Sequence, residues 1–371
     1  MPYFDHSATT PVHPKVLELM MNVQKKFYGN PSSIHSQGRK SRSLIEKARL
    51  QIAEAIGAKS KQIIFTSGGS ESNNQILHSI LNTNKNHIIT SAIEHPAILN
   101  VLQLLKKRKI ENDSIDVDKN GIVLTENVKK KINISTGVIS IMLANNEIGT
   151  VQPIRAISNI AKKKSILMHT DAVQCFGKIK INVDELGVDF LSLSGHKFYG
   201  PKGGGIIYSR NKEFISPFLF GGNQENGLRA GTENVAIIAG MGLAAKIASS
   251  SLKKNANHIL SLENYFKKEL KNIYPQVIFN GNQKKKLPGL ISATFPHYRS
   301  DIIVTKLDRI GMAVSNGAAC GSGLIQPSHV LRSIGLDDKN NISTIRISFG
   351  NTNTHNEVKK LLEAFKSITS S

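Results

Sequence analysis

Residues 63–81 read IIFTSGGSESNNQILHSIL, and the change of character along this stretch decides the fold. IIFT is β-branched and aromatic, the composition of a short buried strand. SGG breaks the strand, and the residues after it carry apolar side chains at helical spacing. A strand, a glycine turn and a helix in quick succession form one unit of an alternating α/β chain.

The same alternation continues outward from this unit. Residues 39–56 (RKSRSLIEKARLQIAEAI) space their apolar positions as a helix and stop at Gly57. HIITS (87–91) reads as the next strand, with a helix opening after Pro96. GVISIML (137–143), SILMHTD (165–171) and DFLSLS (189–194) read as further buried strands, separated by helical stretches such as 153–164. The pattern predicts a mostly parallel sheet with helices on both faces. Residues 233–271 read as almost wholly helical. The order then changes to strand (290–295), helix (300–310), a loop around Cys320, helix (327–334), strand (344–349) and a last helix (355–368). This half predicts a smaller α+β unit. The expected division is 13–250 for a large domain, with 1–12 and 251–371 forming the small one.

Composition narrows the function classes. No apolar run is read as approaching the roughly 20 residues that span a bilayer, and MPYFDHSATTPVHPKV has neither the basic region nor the apolar stretch of a secretory signal. Two cysteines, Cys175 and Cys320, make no disulfide framework and no four-cysteine metal site. A reducing cytoplasm is the expected home, with no membrane partner and no metal. The net charge of +21 comes from 48 Lys plus Arg against 27 Asp plus Glu. Its runs, among them Lys129-Lys130-Lys131, Lys162-Lys163-Lys164 and Lys284-Lys285-Lys286, are short and scattered in sequence, and read as solvated surface. There is no zinc-finger spacing, aromatic RNA-binding motif or long basic stripe, so direct nucleic-acid binding is disfavoured while an acidic partner stays open.

Four places carry chemistry. SGGSESN (67–73) lies between a strand and a helix, where backbone N–H groups can hold a phosphate, although glycine turns before helices are common. It has neither the P-loop nor the GxGxxG spacing. Asp171, in HTDAVQ, ends a buried strand, either as a helix cap or as the acid that holds a protonated ring nitrogen. Lys197, in SLSGHKFYGPKGGG (192–205), stands among small polar residues and suits Schiff-base chemistry. Arg346 interrupts the apolar strand TIRISFG (344–350) and needs a carboxylate, from a ligand or from the protein. Together these describe a phosphate cradle, a ring-nitrogen acid, a Schiff-base lysine and a carboxylate clamp. Pyridoxal-phosphate chemistry on an amino acid requires that set. Within SNGAACGSG (315–323), Cys320 is surrounded by glycines, as an incidental thiol or as one that has to move.

The motifs YFDHSATTPVHP, FYGNPSSIH, FTSGGSESNN, EHPAIL, ANNEIGTVQPI, TDAVQ, SGHKFYGPKG, LRAGTENV, SNGAACGSG and TIRISFG run nearly end to end. In this order they closely resemble the cysteine desulfurases, pyridoxal-phosphate enzymes of the class V aminotransferase group. The resemblance implies the aspartate-aminotransferase-like fold, with a mainly parallel seven-stranded sheet in its large domain. It implies that Lys197 is the Schiff-base lysine, that Asp171 pairs with the ring nitrogen, that Gln174 contacts the phenolic oxygen, and that His95 stacks on the ring and moves protons. Gly69, Ser70, Ser194 and His196 should hold the phosphate, and Thr232 should reach the phosphate of a neighbouring subunit's cofactor in a homodimer. Arg346, with Asn145, should clamp the substrate carboxylate. Cys320 should be the nucleophile that takes sulfur from L-cysteine as a persulfide and delivers it to an acceptor.

The spacing VSNGAACGSGLIQPSHVLR resembles the subgroup whose cysteine lies on a long mobile loop. Two departures stand out. That subgroup commonly has Ser-Ala-Cys-Thr-Ser where this chain has Ala319-Cys320-Gly321-Ser322, and the C-terminal tail that helps dock the iron–sulfur scaffold has no counterpart here. With the basic charge, these shift the expectation from the standard scaffold toward a dedicated acceptor in tRNA thiolation or DNA phosphorothioation. Selenocysteine lyase or another class V pyridoxal-phosphate enzyme is the alternative on the same fold. Cys175 is expected to be a packed thiol.

Overall fold

The computed structural model describes residues 2–316 and 326–369. Seven strands build the larger sheet: β1 (Ile63–Thr66), β2 (His87–Ser91), β3 (Glu111–Ile115), β4 (Thr136–Ser140), β5 (Leu167–Asp171), β6 (Phe190–Ser194) and β7 (Gly205–Ser209). Their spatial order is β1-β7-β6-β5-β4-β2-β3. From β3 through β6 every pairing is parallel, and β7 lies antiparallel between β6 and β1. This is the expected α/β architecture. β1, β2, β6 and β7 are buried along their whole length, because helices cover both faces of the sheet.

Two of these strands were not legible in the sequence. ENDSI (111–115) is polar and mostly solvent-facing, as an edge strand can be. GIIYS (205–209) follows a glycine run that reads as loop, and sheet pairing decides its state.

The helices of this half are α1 (Pro14–Lys26), α2 (Ser36–Ile56), α3 (Gly69–His78), α4 (Pro96–Lys106), α5 (Thr125–Lys131), α6 (Ile154–Lys163) and α7 (Val183–Leu186), followed by α8 (Val235–Ile273). α2 ends where Gly57 takes φ 70°, and its N–H closes on the carbonyls of Ala53 and Glu54. α8 is a single 39-residue helix, so the expected boundary at residue 250 falls inside it. By length and composition α8 is also apolar enough to cross a membrane, which corrects the reading that no such run exists. In the fold, Met241, Ala244 and Ala245 join a core with Val16, Ile45 and Ile52. A Cβ at Gly242 would come within 2.5 Å of Ala48 Cα, so this glycine sets how closely α8 can lie on α2.

The second half of α8 belongs to a separate core of Leu262, Phe266, Phe295, Ile345 and Phe365, joined by Phe4 from the N-terminus. Over it lies a four-stranded antiparallel sheet: β8 (Ile278–Phe279), β9 (Leu290–Thr294), β10 (Ser315–Asn316) and β11 (Thr344–Ser348), ordered β10-β11-β9-β8. Residues 2–8 run beside this sheet. Asp5 bridges Ser348, and the Ser7 N–H donates to Ser348 Oγ at 2.8 Å.

A buried ion pair locks the loop between β7 and α8. Arg49, on α2, donates through Nη1 and Nη2 to Glu225 Oε2 and Oε1 at 2.7 and 2.6 Å, and its guanidinium lies 4.7 Å from the Phe65 ring centroid. The Phe65 N–H also donates to Glu225 Oε2, at 3.0 Å. Glu225 and Asn226 hold φ of 48° and 58°, left-handed values that non-glycine residues adopt only when neighbours over-determine them. Glu225→Ala leaves the buried Arg49 guanidinium with only the exposed Glu46 as a carboxylate partner. It is expected to cost about 3–5 kcal/mol, read as a lower urea midpoint for loss of near-ultraviolet circular dichroism. A wild-type midpoint would show that the pair does not hold the loop.

Candidate active site

Parallel sheets gather ligands at the carboxyl ends of their strands, and there a cavity of about 610 Å³ opens. Of the sequence-predicted site residues, Gly69, Ser70, His95, Asp171, Gln174, Ser194, His196, Lys197 and Arg346 all line it. The fold brings them together from segments up to 277 residues apart in sequence.

Lys197 follows β6 in a short 3₁₀ turn (Gly195–Lys197), and its Nζ donates to the carbonyls of Ser7 and Ala8 at 2.6 and 2.7 Å. Burial, helped by the positive charges of Lys178 and Arg346, pulls its pKa down to about 7, against the opposing pull of Asp5 and Asp171. A large fraction is therefore neutral and nucleophilic near neutral pH. Asp171 ends β5 with both oxygens held: Asn73 Nδ2 donates to Oδ2 at 2.7 Å and the Val173 N–H to Oδ1 at 2.9 Å. Gln174 donates to Ser7 O and accepts from Lys178 Nζ.

His95 caps α4, where its Nδ1 accepts the Ala97 N–H at 3.1 Å. A backbone N–H can only donate, so the neutral ring carries its proton on Nε2. Burial lowers the His95 pKa, with Lys197 and His329 adding to the shift and Asp171 opposing it. Beside it, Glu94 is fully enclosed and accepts from Ser91 Oγ and from the Met142 N–H, and burial pushes its pKa up to about 8. It is mainly a neutral acid at pH 7.

The start of α3 fits a phosphate. Gly68 precedes the helix, no side chain caps it, and Ser70, Ser194 and His196 stand around the opening. A Cβ on Gly69 would meet Val173 Cγ2 at 2.8 Å, so only glycine leaves this approach clear. Burial, with Lys197 and Lys202, lowers the His196 pKa to about 4, which makes it a neutral hydrogen-bonding group there. Glu71, one turn along, is tied to Arg229 at 2.9 Å. Burial works against its charge, but the bonds from Arg229 and Ser67 outweigh it and keep its pKa low. An uncapped helix start, a lysine whose pKa burial lowers and a carboxylate whose oxygens are fixed together suit pyridoxal phosphate.

Arg346, on β11, takes a protein carboxylate, one of the two partners weighed from sequence. Nη2 donates to Asp5 Oδ1 at 2.9 Å and Nη1 to the Asn146 carbonyl at 3.1 Å, while Nε is buried without a partner among the described residues. It is thus an interior ion pair whose residue also lines the cavity.

Two expected residues lie elsewhere. Asn145 is fully buried and spends its amide on the turn, donating to Ile93 O and accepting the N–H groups of Glu147 and Ile148. Its neighbour Asn146 faces the cavity instead. In ANNE the sequence offers two adjacent asparagines, and only the turn decides which one points inward. Thr232 is solvent-exposed and does not line the cavity. Cys320 lies outside the described residues. Ser315 and Gln326, on either side of it, both line the cavity. Cys175 is completely buried in the main core, and burial pushes its pKa up, so it is a packed thiol and no nucleophile. Sequence reasoning missed Asn73, although its spacing from Ser70 on α3 places the two on one helix face. It also missed Ser7 and Ala8, which act through carbonyls and leave no side-chain signal.

Fold and site together define a pyridoxal-phosphate-dependent enzyme of the aminotransferase type. The chain belongs to the class V aminotransferase family, which it matches over residues 2–361, and within that family to the cysteine desulfurases. It is 45% identical over 369 residues to the cysteine desulfurase IscS of Dictyoglomus turgidum, covering 99% of this chain and 94% of the relative. A solved NifS-like protein superposes with a TM-score of 0.94 at 37% identity, covering 100% of this chain and 99% of that one. The solved structure of SspA in complex with cysteine superposes at 0.82 with 35% identity, over 95% of this chain and 100% of that one.

A Lys197 pKa near 7 sets the pH dependence of cofactor loading. Its neutral fraction rises from roughly 10% at pH 6 to roughly 90% at pH 8. Schiff-base formation between the cofactor-free protein and pyridoxal phosphate, followed by absorbance, should accelerate about ninefold across that interval and then level off. A rate still climbing tenfold from pH 8 to pH 9 would return Lys197 to the ordinary lysine range.

Proposed function

We propose that this enzyme takes L-cysteine as its substrate, moves the sulfur onto Cys320 as a persulfide, releases alanine, and passes the sulfur to an acceptor protein. One observation carries the reading. Ser315 pairs in register with Arg346 across β10 and β11, and the chain returns to the same cavity wall at Gln326–His329. The segment bearing Cys320 therefore leaves from and rejoins the wall beside the carboxylate clamp. Cys320 is five positions beyond Ser315, a reach of at most about 18 Å. The solved relative that binds cysteine supports the choice of substrate.

Lys197 would hold the cofactor, with Asp171 on its ring nitrogen, Gln174 on its phenolic oxygen, His95 against its face, and Gly69, Ser70, Ser194 and His196 around its phosphate. Bound pyridoxal phosphate supplies a carbonyl that condenses with amines and a ring that withdraws electrons from the substrate's α-carbon. The protein supplies the rest. Arg346 orients the substrate through its carboxylate, with Asn146 beside it in the place expected for Asn145. His95 Nε2 and Lys197 Nζ hold and return protons at the reacting carbons.

Cys320, as the thiolate, forms an S–S bond to the substrate sulfur while the bond from that sulfur to the β-carbon breaks and its electron pair stays on carbon. Overall, one protein thiol and one L-cysteine become one persulfide and one alanine, with no external oxidant. Thr232 is exposed on the loop that the Arg49–Glu225 pair locks, which supports a homodimer in which it reaches the partner subunit's phosphate site. We place the enzyme in the cytoplasm, where a persulfide-forming thiol stays reduced. The basic surface favours an acidic acceptor, in iron–sulfur cluster assembly, tRNA thiolation or DNA phosphorothioation.

Peptide mass spectrometry after brief incubation with L-cysteine, with alanine assayed in the same tube, tests the proposal. The expected result is added sulfur on Cys320 together with alanine, both lost in Cys320→Ser. Sulfur on another residue would move the nucleophile, and alanine from L-selenocysteine alone would make the enzyme a selenocysteine lyase. Arg346→Lys keeps the charge but loses the fork, and should raise KM for L-cysteine by roughly tenfold or more with a smaller change in kcat.

A further inference from the structure

The topology gathers basic runs that look scattered in sequence. β3, β2, β4 and β5 are adjacent and parallel, and their first residues stand in one row. His87 is level with Glu111 on one side and Thr136 on the other, and Val138 is level with Leu167. Whatever precedes these strands is delivered to a single edge of the sheet, and what precedes them is basic. Lys85 stands just before β2. KKRK (106–109) closes α4 ahead of β3, KKK (129–131) closes α5 ahead of β4, and KKK (162–164) closes α6 ahead of β5.

Contacts across the edge confirm the neighbourhood. Lys131 Nζ meets Asp113 Oδ1 of β3 at 3.2 Å, and Lys85 Nζ donates to the Ile134 carbonyl at 2.6 Å. The edge thus carries eleven cations, all exposed except the half-buried Lys85. Only Lys129 and Lys131 form ion pairs among the described residues, with Glu126 and Asp113. A cation in the last turn of a helix offsets the dipole. Three or four at each of three helix ends exceed that need.

This edge lies opposite the active site, a strand's length away, about 17 Å for five residues. Its composition selects the ligand. Protein interfaces deplete lysine and centre on aromatic anchors; the exposed apolar side chains in or beside these runs, Leu104 and Ile134, are aliphatic, and the exposed aromatic residues Tyr28, Phe214 and Phe220 all lie in other segments. Flexible, strongly hydrated lysine charges suit phosphates along a backbone and read no bases. We propose that this sheet edge binds the phosphate backbone of a nucleic acid without sequence preference. The surface would serve to hold the enzyme on a nucleic acid, separate from the cavity where sulfur is released.

Fluorescence anisotropy of the full-length, cofactor-loaded protein with a labelled 20-base-pair RNA duplex, from 50 to 200 mM salt, tests this. With at least four phosphates engaged, the plot of log affinity against log salt should fall with a slope of about −4 or steeper. The single variants K107E and K163E should each flatten the slope by about one, and K107E/R108E/K130E/K163E should weaken binding more than tenfold at 100 mM salt. Far-ultraviolet circular dichroism establishes that each variant is folded. K253E/K254E/K359E/K360E, reversing exposed lysines on α8 and on the helix His355–Thr369, makes the same change in net charge elsewhere and should retain most of the binding. Three results would overturn the proposal: no binding at 50 mM salt, equal loss in the control variant, or displacement of the duplex by polyglutamate at matched charge as efficiently as by unlabelled RNA. The last would assign the face to an acidic polypeptide.

Discussion

A lysine ammonium buried at the end of β6 is the constraint around which this molecule is organised. Desolvating Lys197 makes it reactive, yet it must be held at a fixed point. The carbonyls of Ser7 and Ala8 do this, at 2.6 and 2.7 Å. They come from the N-terminal segment, and the same short segment also accepts from Gln174 and places Asp5 on Arg346. One stretch of backbone therefore fixes Lys197, Gln174 and Arg346 relative to each other. It can do so only because the Ser348 hydroxyl and the Phe4 side chain anchor it to the smaller sheet and its core.

Burial is used in opposite senses around the cavity. It lowers the pKa of Lys197, His95 and His196 and raises that of Glu94, so four ionisable groups lean toward their neutral forms in a site built for a charged cofactor and a zwitterionic substrate. Fewer fixed charges then compete with those the ligands bring. Arg346 is the exception, and its ion pair with Asp5 shares the cost of burying the guanidinium. Toward solvent the logic reverses. The lysines at the far edge of the sheet remain hydrated and mostly unpaired, so charge accumulates there without a desolvation penalty.

The legibility of the site followed the physics of each residue. Asp171, Lys197 and Arg346 were readable because a charged residue at a strand end or inside an apolar strand demands an explanation. Asn145 and Asn146 were not distinguishable, because adjacent asparagines have the same chemistry and only the hydrogen bonding of their turn separates them. β3 and β7 escaped because a polar edge strand and a strand entered through glycines lack the apolar signature. Ser7 and Ala8 were invisible because backbone carbonyls are common to every residue.

By itself the sequence determined the alternation of strands and helices, the set of chemical groups and their order along the chain, since these depend on side-chain type and spacing over a few residues. Tertiary structure decided which groups meet and which face away. Parallel pairing sends the carboxyl ends of β2 to β6 to one edge and the helix ends that precede them to the other. That single geometric rule gathers the candidate site residues at the cavity and brings basic runs far apart in the chain together on the opposite edge.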